Sequence, residues 1–137
     1  MKPTELRIGN LFWGAGMVQT VKEMHKYGDQ PGYEYLIMCE ENGNQYKPIE
    51  MQGIPLTEEW LKKFGFNRQG DRNVWILDKV SVTLMDYPDL HGKLTGDKFY
   101  LGFRDCGGVI YRTTIPVPYV HILQNAFALT GKELEIK

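Results

Sequence analysis

Cysteine is scarce in this sequence, charge of neither sign is in real excess, and no apolar run approaches the length of a membrane span. Cys39 and Cys106 are the two cysteines. With no export signal ahead of them, free and reduced thiols are the expectation rather than a bridge. Sixteen Lys and Arg stand against seventeen Asp and Glu, a net charge of -1. That balance leaves no electrostatic footprint for duplex nucleic acid or for an anionic membrane. The opening Met1-Lys-Pro-Thr-Glu-Leu-Arg-Ile8 lacks the apolar centre of a secretory signal, and nothing further on is apolar enough to cross a bilayer. A soluble cytoplasmic protein without membrane contact is therefore expected. Gly9, Gly14 and Gly16 are followed by no Gly-Lys-Ser/Thr and open no helix, which excludes a phosphate-binding loop and a dinucleotide fingerprint. Internal repeats and low-complexity tracts are also missing.

What is present is an ordinary globular composition. Hydrophobic residues make up 42% and charged residues 24% of a chain of 137, enough to build a core without staples. The expectation is a single domain, 1–137, or two lobes, a β-rich 1–52 and an α+β 53–137. Strand signals dominate the first lobe. Segments 6–13 and 17–24 flank Gly14-Ala15-Gly16, segment 33–39 follows a Gly/Pro loop, and Asn42-Gly43 marks a hairpin into 45–47. These four strands predict a small antiparallel β-meander or an SH3-like barrel.

A short middle helix follows. Thr57 is its N-cap, Glu58 and Glu59 fill the first turn, Lys62 and Lys63 the last, and Gly65 supplies a left-handed stop. Leu56 can staple onto Leu61, and Trp60, Leu61 and Phe64 form the buried face. After a polar loop at 67–73, strands are expected at 74–77, 80–85, 99–104 and 109–114, with Gly107-Gly108 turning the last pair. The clean alternation of Val80–Met85 predicts a sheet with one covered face. In the next strand it places Phe99, Leu101 and Phe103 inward. A C-terminal helix runs from Pro118 to the stop at Gly131. Tyr119, Ile122, Leu123, Ala126 and Phe127 share its apolar face, and His121, Gln124 and Asn125 form a narrow polar strip read as a solvated edge. Leu134 and Ile136 alternate with charges as a short terminal strand. The fold class is α+β: an N-terminal meander or barrel, a middle helix, a second antiparallel sheet and a packed C-terminal helix.

Chemistry is thinly represented. Asp86, Asp89 and His91 lie within six positions and carry the oxygen and nitrogen ligands that suit zinc or manganese. Their spacing matches no established metal site, and Asp with Pro is ordinary turn chemistry. Cys106 precedes a two-glycine turn and Cys39 lies in an apolar strand, so neither reads as a nucleophile. Phe99, Tyr100, Phe103, Arg104, Tyr111 and Arg112 share one hairpin. With Phe99 and Phe103 needed in the core, Tyr100, Arg104 and Arg112 remain as a stacking surface for single-stranded nucleic acid. The strip His121, Gln124, Asn125 is the other candidate for meeting a partner. No catalytic residue and no cofactor are expected.

Three blocks carry a resemblance: Leu6-Arg-Ile-Gly-Asn10, the stretch from Ile54 to Phe66 (IPLTEEWLKKFGF), and the stretch from Tyr119 to Ile136 (YVHILQNAFALTGKELEI). Together they resemble a group of small uncharacterised proteins of phages, prophages and mobile elements in gut bacteria. The resemblance implies a phage or mobile-element setting and a cytoplasmic location; it brings no activity, cofactor or site residue. The ranked expectations are a non-enzymatic module that binds a protein partner, then a small metal-assisted hydrolase, then a weak single-strand nucleic-acid binder.

Overall fold

The computed structural model describes every residue except Asn42, Tyr87, Asp89, Thr95 and Lys137, and every described side chain except that of Pro3. Among the described residues, nine strands in two antiparallel sheets and two α-helices make the fold α+β. It divides into two units. The first is Met1–Pro55 with Tyr119–Ala126, and the second is Leu56–Pro118 with Phe127–Lys137. The segment Tyr119–Ala126 thus belongs with the N-terminal strands, where the lobes drawn from sequence put it with the second half.

In the first unit β1 (Leu11–Gly14), β2 (Met17–Lys26), β3 (Tyr35–Cys39) and β4 (Gln45–Tyr46) pair in that order. This is the meander; the sheet does not close into the SH3-like barrel. The β1–β2 turn uses Ala15 at φ 53° and Gly16 at φ 77°, the two left-handed residues that a tight two-residue hairpin needs. Gly14 serves packing instead, because a Cβ there would meet the Phe12 ring at 2.9 Å. Leu6, Phe12, Val21, Ile37, Cys39, Tyr46 and Met51 form the core, with Phe12 edge-on to Tyr46 at 5.5 Å. Burial first, and then the charge of Glu41, pushes the Cys39 thiol up to about 11, so it is an inert filler. Cys39 and Cys106 are both free.

In the second unit the cap, the terminal charges and the stop of the middle helix, α1 (Glu58–Lys63), are in place. Thr57 Oγ1 accepts from the Trp60 N–H at 3.4 Å. Gly65 sits at φ 90°, and the Phe66 N–H donates back to the Leu61 carbonyl at 2.9 Å, a Schellman closure. Leu61 and Phe64 are fully buried. Trp60 is only half-buried and carries the Lys63 ammonium 4.6 Å above its ring. Strand β5 (Asn67–Arg68) occupies part of the expected polar loop. It is followed by β6 (Val74–Leu77), β7 (Val80–Met85), β8 (Lys98–Arg104) and β9 (Ile110–Pro116), in the order β5-β6-β7-β8-β9.

Register decides the faces of this sheet. Trp75, Val82 and Leu101 lie side by side on one face, and Val74, Thr83 and Tyr100 on the other. All six are buried. The expectation of a single covered face is therefore wrong at the sheet's centre, and Tyr100, at 8% exposure, does not point outward. Phe99 and Phe103 are only half-buried. Polarity misreports burial here because Ser81 and Thr83 are small enough to be enclosed; their hydroxyls have no hydrogen-bond partner.

The C-terminal helix is α2 (Val120–Ala128). Phe127 meets the Phe66 ring edge-on, with centroids 6.4 Å apart. After Gly131 the described residues form no strand, against expectation. The tail is held instead by buried Leu134 and by Lys132, whose ammonium donates to the Asp78 carboxylate. Among the described residues no helix is long and apolar enough to cross a membrane.

Candidate interaction surface

The polar strip of α2 is not a solvated edge. Gln124 Oε1 accepts from the Leu11 N–H at 2.8 Å, and its Nε2 donates to the Gly9 carbonyl at 3.1 Å. Asn125 Nδ2 donates to the Glu5 carbonyl at 2.6 Å, and its Oδ1 accepts from Asn10 Nδ2 at 2.9 Å. These amides satisfy main-chain groups of a turn that sequence reading counted as strand. Gly9 and Asn10 still bond Val21 of β2, the Gly9 N–H donating at 2.8 Å and the Asn10 carbonyl accepting at 2.9 Å. The chain turns off the ladder there because Gly9 is at φ 92° and Asn10 Oδ1 accepts from the Arg7 N–H at 2.7 Å. Gln124 and Asn125 are therefore committed to the fold and are not open to a partner.

His121, the third member, is 1% exposed. Its ring stacks on Tyr119 at 5.6 Å and 13°. Its Nε2 lies 3.5 Å from Glu5 Oε2, an ion-pair distance, and neither ring nitrogen makes a hydrogen bond. Burial holds its pKa below the ordinary histidine range; the Glu5 carboxylate pulls the other way, and the N-terminal ammonium adds to the depression. Below about pH 6.5, the ordinary value, the unfolded chain takes up a proton that the folded chain refuses. Stability then rises with pH across this window and is lost as pH falls. Urea midpoints at pH 7.5 and pH 5.5 should differ for the native chain and differ less for His121→Gln; equal slopes in the two would remove His121 as the cause.

The metal candidates do not assemble into a described site. Asp86 Oδ1 accepts from the Gly96 N–H at 3.0 Å, so this carboxylate closes its own loop. His91 is exposed, and Asp89 lies outside the described residues. No group of three His, Cys, Asp or Glu side chains with metal-binding proximity occurs among the described residues.

The β8–β9 hairpin offers a different kind of surface. Among the described residues β9 is the last strand of its sheet, with β8 on one side and no strand on the other. Val109, immediately before it, is 52% exposed, and Tyr111 and Ile115 on it are 58% and 54% exposed. The turn is rigidly built: Asp105 Oδ1 accepts from the N–H groups of Gly107 at 2.9 Å and Val109 at 2.8 Å. The Tyr111 hydroxyl lies 3.3 Å from Asp105 Oδ2 as a donor, which orients the ring. Beside the turn, Asp78, Lys79, Arg104, Asp105, Cys106, Gly107 and Gly108 line an open cleft of about 470 Å³.

Charge on this hairpin is lopsided. Asp78 is neutralised by Lys132, whose hydrogen bond, together with the nearby Lys79 and Arg104, holds that carboxyl below its usual range despite some desolvation. Asp105 is spent on the turn. Lys79, Arg104 and Arg112 are left as the outward cations. Of the sequence candidates, Tyr100, Arg104 and Arg112 do share one sheet face by register, since Tyr100 pairs with Pro116, Gly102 with Arg112, and Arg104 with Ile110. The Tyr100 ring, however, is enclosed. Val109, Ile115 and Lys79 were missed as surface residues; only Tyr111 stood out, as one aromatic among several on the hairpin. No family model, curated protein or solved structure matches this chain.

Proposed function

We propose that this protein is a non-enzymatic interaction module that binds a protein partner through its β8–β9 hairpin, in the phage or mobile-element setting its resemblance implies. The supporting observation is the edge strand itself, on which Tyr111 and Ile115 stand more than half exposed, with Val109 exposed just ahead of it beside a fixed turn. An open edge with apolar side chains is an adhesive surface that a chain ordinarily blunts or uses. Stacking of single-stranded nucleic acid is the weaker reading, because it needs successive accessible rings and the hairpin offers Tyr111 while Tyr100 is enclosed.

Affinity capture from cells carrying the element tests the reading. The native chain should retain a protein that the double variant Tyr111→Ala, Ile115→Ser releases. Loss of two central apolar anchors costs at least about tenfold in affinity. Circular dichroism would confirm that the variant is folded. Identical captured sets from both proteins would place the binding surface elsewhere.

A further inference from the structure

The outer side of β9 has a polarity that specifies its ligand. The Asp105 N–H donates to the Val109 carbonyl at 3.0 Å, so Asp105–Val109 is a hydrogen-bonded position of the antiparallel pair. Bonded and non-bonded positions alternate, which makes Phe103–Tyr111 the next bonded one. Ile110 and Arg112 therefore turn their N–H and carbonyl groups away from β8, towards the open edge. Past Arg112 the edge is closed. Thr113, Thr114 and Ile115 bulge opposite Leu101, the Ile115 N–H is taken by Thr113 Oγ1 at 3.1 Å, and Pro116 has no N–H to offer. Only the stretch from Val109 to Arg112 can accept another strand.

Its two faces differ in chemistry. Tyr111 pairs with Phe103 on one face, and Val109 follows the same parity. Arg112 and Arg104 lie on the other face, by their pairing with Gly102 and Ile110. A strand laid along β9 would alternate its side chains in the same way, one set over Val109 and Tyr111 and the other against Arg112. We propose that β9 accepts a short extended segment of the partner protein as a sixth strand, with apolar side chains on the Tyr111 face and acidic side chains on the Arg112 face. This rests on the hairpin being the binding surface. A second copy of the chain is disfavoured as the occupant, because edge-to-edge pairing would gather the Arg112 and Arg104 side chains of both copies on one face, with no acidic partner between them.

A random peptide library selected on the folded protein tests the idea. Recovered peptides should alternate apolar residues with Asp or Glu and should weaken as salt rises. Ile110→Pro deletes the outward N–H but no hydrogen bond to β8, and should abolish their binding. Should that variant melt below the native chain, Arg104→Gln with Arg112→Gln serves instead and should weaken binding about tenfold or more. Recovered peptides without acidic excess, or peptides that bind both variants as the native chain does, overturn the proposal. Binding of oligothymidylate at the same surface, or a dimer abolished by Ile110→Pro, overturns it in favour of nucleic acid or self-association. If selection yields nothing while Tyr111→Ala, Ile115→Ser still releases the captured protein, strand addition falls and the hairpin reading stands; if both fail, both fall.

Discussion

Replacing Phe127 by Ala is expected to destabilise the protein by about 3–5 kcal/mol, the usual cost of removing an enclosed phenyl ring. Phe127 is 3% exposed, and its ring edge meets Phe66, the residue that closes the C-terminus of α1. Leu77, Leu134 and Phe127 also line one small cleft, so the truncated side chain leaves a cavity among groups that have nothing else to fill it. Part of the cost is lost transfer energy and part is the void. Phe127→Leu, which keeps most of the volume, should cost well under half as much. Urea unfolding followed by tryptophan fluorescence measures both; a loss below about 1 kcal/mol in the Ala variant would mean that the site collapses around the gap.

Gln124→Ala is expected to cost about 2–4 kcal/mol, although the side chain it removes is polar. The Leu11 N–H and the Gly9 carbonyl would each lose a partner in a region that Gln124, Asn10 and Leu11 keep dry. An enclosed main-chain group without a partner costs roughly 1–3 kcal/mol. Gln124→Glu keeps the acceptor for Leu11 but removes the donor to Gly9, and should fall between the two. The readout is again the urea midpoint. Native stability in Gln124→Ala would show that water takes over both bonds and that the amide is dispensable.

These two side chains lie three positions apart on α2, and the sequence predicted them with unequal success. Phe127 belongs to an apolar face that 3.6-residue periodicity reveals directly. Gln124 belongs to the complementary strip, and periodicity says only that the strip differs from the apolar face. Whether it meets water or a turn with unpaired main-chain groups depends on Leu6–Asn10. That segment looked like strand because apolar residues recur in it, yet Gly9 and Asn10 turn it. The sheet of the second unit repeats the lesson. Alternation sorted Val82 from Thr83 and Leu101 from Tyr100 into two sets, but it could not report that both sets are enclosed.

Local chemistry determined what needed no distant partner. Thr57, Gly65 and Phe66 specify α1 within one stretch of chain, and the glycines at 16, 43 and 108 mark turns because only a left-handed backbone fits there. The α+β class followed from these elements, since strands and amphipathic helices of this length must share covered faces. Tertiary structure alone decided that β9 stands at an edge, because strand order is set by which segments meet and not by what any one of them contains. For the same reason it alone showed Val109 and Ile115 to be outward side chains, and Tyr100, Gln124 and His121 to be enclosed ones. A side chain's identity limits the environments it tolerates, and the packing of residues far away in sequence selects among them.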